Sequence, residues 1–169
     1  METHEPVKID NPIKRGMDAA LRAAEFLRKT NTWYRELQET IQVVELQQSN
    51  FSKQLFVNIG VLVKGVGATA RKVPPGEHEC HIRMRIEGLG HPENEDATLA
   101  LFNLEDDSAA GADRQSAVEE VVNGAVVPLL RLCSTRAGIS AAYREGRLAR
   151  AIIDKDVRAL FVGSLPRLD

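Results

Sequence analysis

At 169 residues the chain has the length of one domain and can bury a core without disulfide or metal support. It is 43% hydrophobic and 27% charged, which excludes wholesale disorder. A formal net charge of −2 with a pI near 6.1 excludes a global pull towards nucleic acid or anionic membranes, so any basic site must be a local patch.

Met1 to Asp10 reads as a polar N-terminal arm ahead of a single α+β domain over residues 11–169. It carries Glu2, Glu5 and Pro6 and has no apolar core of a secretory signal. No apolar run approaches the roughly 20 residues of a membrane span. Cys80 and Cys133 fall on expected apolar faces, as buried free thiols. A cytoplasmic address follows as an expectation.

Asn11-Pro12 opens the first helix, since Asn caps well and Pro suits the first helical position. Ile13, Met17, Ala20, Leu21, Ala24 and Leu27 give it one apolar stripe, and Lys29 with Thr30-Asn31 marks its end. The period then shifts to strands, predicted over Trp33–Gln38, Ile41–Gln48 and Lys53–Val63, with connections short enough to require antiparallel pairing. In the third, Leu55, Val57, Ile59, Val61 and Val63 share the core face, opposite Gln54, Phe56, Asn58, Gly60 and Leu62. Gly65 to Gly76 is a loop. A fourth strand over Glu79–Glu87 turns Cys80, Ile82, Met84 and Ile86 inward and His81, Arg83, Arg85 and Glu87 outward. A fifth strand is placed at Thr98–Leu104.

Asp113 caps a second long helix, with Val118, Val121, Val122, Ala125, Leu129, Leu130 and Cys133 on its apolar face. Pro128 removes an N–H and crowds the carbonyl of Gly124, which predicts a bend. Short helices follow around Ser140–Glu145 and Asp154–Phe161. Leu148, Ile152, Ile153, Val157, Leu160 and Phe161 are expected to dock the tail. The fold class is α+β: a four- to five-stranded antiparallel meander with an N-terminal helix and C-terminal helices packed on one face.

This order, with Trp33-Tyr34-Arg35, Ile41 through Ser49, Phe56-Val57-Asn58-Ile59-Gly60-Val61, His81-x-Arg83-x-Arg85, Ala100-Leu101-Phe102-Asn103-Leu104 and Pro128-Leu129-Leu130, resembles the bacterial DUF4304 family, a domain of unknown function. The resemblance runs from about Ile13 to Leu148. It implies an α+β fold and a bacterial origin, and it brings no activity with it.

Motifs for chemistry are thin, and no cofactor or catalytic residue is assigned. Glu77-His78-Glu79-Cys80-His81 gathers metal-ligand types, but on a strand His78 and Cys80 share a face and His81 points away, so no metal site is assigned. Cys80 with His78 or His91, or Ser140 with any histidine, lacks the framing turn of a nucleophile. Glu93, Glu95 and Asp96, and Glu105-Asp106-Asp107, read as solvated loop acids. Gly65-x-Gly67 lacks the strand–turn–helix context of a nucleotide loop.

The best candidate is a face. His81, Arg83 and Arg85 recur about every 7 Å along the fourth strand. Asn58, Gln47 and Arg35 are expected beside them, as amide and guanidinium donors for carboxylate or phosphate. The plain alternative is the wet side of a half-buried sheet. Three functions compete: a non-enzymatic protein-binding module of the immunity, antitoxin or adaptor kind; a small-ligand binder or enzyme with a cleft between sheet and the 64–79 loop; and, weakest, a nucleic-acid binder. A protein partner, perhaps a neighbouring gene's product, and no membrane are expected.

Overall fold

The computed structural model describes residues 11–67, 72–108 and 112–162, so the N-terminal arm lies outside the described residues. Helix α1 spans Pro12–Ala23, and the Asn11 side chain accepts from the Lys14 N–H at 2.9 Å, as the cap predicts. The helix stops six residues early. Glu25 takes φ +69, and the Phe26 and Glu25 N–H groups bond the carbonyls of Leu21 and Arg22. That bonding pattern is a Schellman cap, in which the left-handed position favours glycine. Glu25→Gly should therefore stabilise the fold by about 0.5–1 kcal/mol, read as a rise in the denaturant midpoint.

The freed segment becomes a strand. Six antiparallel strands lie in chain order: β1 Leu27–Lys29, β2 Thr32–Glu36, β3 Thr40–Gln48, β4 Leu55–Val63, β5 Ile82–Arg85 and β6 Ile152–Ile153. The α+β class and the meander are therefore as read from the sequence, with one strand more than the upper count. The fifth strand expected at Thr98–Leu104 is instead helix α2, Glu95–Leu101, because Ala97, Leu99, Ala100 and Leu101 are strong helix formers. It meets the sheet at Gln54, whose side chain donates to the Leu99 carbonyl at 3.1 Å and which Asn103 bridges just beyond the helix.

Helices α3 (Ala112–Val121) and α4 (Val127–Leu132) flank a π-helical turn, Val122–Val126. The Val127 N–H reaches back five residues to the Val122 carbonyl. The wider turn relieves the conflict between Pro128 and the Gly124 carbonyl. The inserted residue also shifts the helical phase, so Val126 and Val127 are buried where Ala125 was expected. Helix α5, Arg136–Arg144, begins earlier than read because Thr135 caps it at the Gly138 N–H. Gly138 is obligatory there, since a Cβ would fall 1.8 Å from the Leu132 carbonyl oxygen. Helix α6 covers Lys155–Val162.

Register fixes the two sheet faces. Val44 lies opposite Ile59, which lies opposite Met84, and this side meets α1, α3 and α4 in the main core. All five odd-numbered residues of β4 from Leu55 to Val63 are buried there, as the alternation predicts. Of the tail, Leu148, Ile153, Val157 and Phe161 dock, whereas Ile152 is 63% exposed and Leu160 43%.

The opposite face is divided. At one end Ile41, Val43, Leu62 and Cys80 form a small apolar cluster with Tyr34 against it. The rest, from Gln47 and Phe56 to Arg85, carries no long helix among the described residues.

Candidate functional site

The uncovered half of the sheet forms the floor of a groove of about 490 Å³. Alternation and antiparallel pairing bring four predicted residues together there. Gln47 comes from β3, Asn58 from β4, and Arg83 and Arg85 from β5, with Asn58 opposite Arg85 in register. The Asn58 amide donates to the Gln47 Oε1 at 2.8 Å, and the Arg85 guanidinium lies 4.4 Å over the Phe56 ring. Arg83 is half-buried, and its guanidinium makes no hydrogen bond or ion pair among the described residues.

Glu77, on a 3-10 turn over Glu77–Glu79, stands at one wall. Burial pushes its carboxyl above the ordinary range, while the charge of Arg83 pulls it back. The other wall holds Glu87, Glu95, Arg150 and Ile152, with Arg150 bonded to Glu95 at 2.8 Å. Among the described residues three arginines and three glutamates share the groove, and only the Arg150–Glu95 pair is closely matched, since Arg85 and Glu87 stand 4.0 Å apart.

A family model described as a domain of unknown function, DUF4304, matches residues 17–132, more than half of the chain. The chain belongs to the DUF4304 family. No curated protein and no solved structure matches it. In this DUF4304 domain the match takes in α1 from Met17 onward and every groove residue on β3, β4 and β5, whereas Arg150 and Ile152 lie beyond it.

Two predicted members of the face are elsewhere. Arg35 pairs in register with Gln42, on the helix-covered side, and donates to Gln42 Oε1 at 2.8 Å and to the Ala24 carbonyl at 3.2 Å. Alternation from the buried Trp33 dictates that side, two residues along the same strand. His81 is 7% exposed, and its Nδ1 accepts from the Val63 N–H at 2.9 Å. Its imidazole therefore completes the end of β4 instead of facing the groove, and it carries its proton on Nε2 when neutral.

The fourth strand is also shorter than read, and Cys80 departs from its predicted side. The chain reaches β5 through the 3-10 turn, which sets Cys80 on the opposite face, against Gly60. Burial pushes the Cys80 thiol up to about 12 and that of Cys133 to about 11, so both stay protonated and unreactive near neutral pH. No three His, Cys, Asp or Glu side chains converge to hold a metal ion among the described residues. None of their helices is long and apolar enough to cross a membrane.

Sequence reasoning missed Glu77, Glu87, Glu95 and Arg150 as groove residues. Glu87 had a legible position, one strand step beyond Arg85. Glu95 and Arg150 reach the groove only through long-range packing, which leaves no local signal.

Proposed function

We propose that this domain is a non-enzymatic binding module of the cytoplasm that holds a protein partner, of the immunity, antitoxin or adaptor kind, in the groove over β3, β4 and β5. The observation that carries this reading is Arg83, a half-buried guanidinium with no hydrogen bond or ion pair among the described residues. Partly dehydrated and unmatched, it has five N–H donors to offer a carboxylate of a partner. Beside it the Arg85 guanidinium lies over the Phe56 ring, and the exposed Ile152 adds an apolar rim. Arginine and aromatic groups grouped in this way are enriched at protein interfaces.

A groove of about 490 Å³ is also within the roughly 300–1,000 Å³ of small-ligand sites, which supports a second reading. Its lining is mainly charged side chains, however, whereas such sites are mostly apolar. That difference favours a protein surface over a buried small molecule.

Arg83→Glu combined with Arg85→Glu should abolish co-purification of the partner with tagged protein, a neighbouring gene's product being the first candidate. The fold should hold to within about 1 kcal/mol, because neither side chain reaches the main core. Undiminished co-purification by the double variant would remove the groove from the account.

A further inference from the structure

We propose that the chain carries a second ligand site, a phosphate-binding pocket between Arg35 and Arg131 on the far side of the sheet. It is independent of the groove, and it rests on two positive side chains sharing one cavity with no matched carboxylate.

The cavity, about 370 Å³, lies where the end of β2 and the turn after it meet the end of α4 and the start of α5. Its lining includes Arg35, Gln38, Glu39, Arg131, Ser134 and Thr135. Arg35 is held rigidly: its two terminal nitrogens donate to the Ala24 carbonyl and Gln42, and its guanidinium lies 4.8 Å over the Phe26 ring. All these contacts are uncharged, and its Nε has no hydrogen-bond partner among the described residues. Arg131 is exposed, and its guanidinium makes no hydrogen bond or ion pair among the described residues.

The two like charges oppose each other. Burial and the charge of Arg131 both disfavour the Arg35 cation, with Glu25 acting the other way. Glu39, the one acid among the described lining residues, turns its carboxylate to the start of α5, where it accepts from the Arg136 N–H at 2.7 Å. The Thr135 oxygen accepts from the Gly138 N–H, which leaves its own O–H to donate.

An occupant should therefore be compact, oxygen-rich and anionic. A phosphate group carries about −1.5 to −2 charges near neutral pH and accepts bidentate bonds from guanidinium. A carboxylate has only two oxygens to share between the two guanidinium groups, where a phosphate has three or four. The phosphate can be free or the end group of a small ester, because both present the same oxygens.

Thermal melts with inorganic phosphate or phosphoserine, at ionic strength held constant with chloride, test the site. A ligand that binds only the folded state raises stability in a saturable way. The wild-type melting temperature should rise to a plateau with at least one of the two. Phosphoserine acting at lower concentration marks an ester site, and inorganic phosphate acting alone marks a free-phosphate site. Arg131→Ala should need at least tenfold more ligand for the same shift. Without ligand it should melt at or above the wild-type temperature, because the repulsion on Arg35 is gone. Identical responses of wild type and Arg131→Ala, no plateau with either compound, or a destabilised ligand-free Arg131→Ala would each overturn the proposal.

Discussion

Trp33→Ala is expected to destabilise the fold by about 3–5 kcal/mol, the range for truncating a large buried aromatic side chain. Trp33 is fully buried on β2 and packs in the main core. Its indole N–H donates to Asp18 Oδ1 at 2.9 Å, which ties β2 to α1. Trp33→Phe separates the two contributions: it keeps an aromatic ring in the core and loses the bond to a charged acceptor, worth about 1.5–3 kcal/mol.

The same bond has a pH signature. Burial pushes the Asp18 carboxyl up, but the bonds from Trp33 and Arg22 and the charges of Arg28 and Arg22 outweigh it, leaving the group below its ordinary range. A carboxyl depressed in the folded state contributes stability that is complete above its unfolded pKa of about 3.9 and is lost as pH falls through the folded value. Trp33→Phe removes one of the depressing contacts. The stability gap between it and wild type should therefore narrow between about pH 5 and pH 2. Urea denaturation across that range reads both numbers, and a gap that stays constant would show that the charge of Asp18 adds nothing to the bond.

Gly60→Ala is the second large effect, expected to cost about 2 kcal/mol by overpacking. A Cβ at Gly60 would lie 2.6 Å from the Cys80 sulfur and 2.9 Å from its Cβ, with Glu77 Cγ at 3.6 Å. The only relief is for the 3-10 turn to lift off the sheet, which would carry the Glu77 wall of the groove with it. A double-mutant cycle isolates this contact. Cys80→Gly vacates the space, so the double variant should be at least about 1 kcal/mol more stable than the sum of the single effects predicts. Additive effects would mean that the clash is absorbed elsewhere.

The limits of sequence reading follow from the same physics. Alternation on β4 was legible because one face is wholly buried, and register then carries Asn58 to Arg85 and Gln47 to Phe56 without further information. The end of α1 was not legible, since Ala24 and Leu27 continue its apolar period. What stops the helix is Glu25 at φ +69, where the usual glycine is missing. Arg35 was placed on the wrong side although its neighbour two residues back, Trp33, already marked that side as core. The turn before β5 reverses Cys80 through three residues that look like an ordinary strand. Groove walls supplied by Glu95 and Arg150 come from segments with no local signal, so only the packed chain brings them to Arg83.

Site-specific photo-crosslinking tests the central claim most directly. A photoreactive amino acid is placed at Ile152, on the exposed rim of the groove, and separately at Glu120, exposed on α3. The helices cover the opposite face of the sheet, so the two probes report on different surfaces. The account predicts one discrete protein adduct from position 152 in cells, and none from position 120. An adduct from position 120 alone, the same adduct from both positions, or none from position 152 would contradict it.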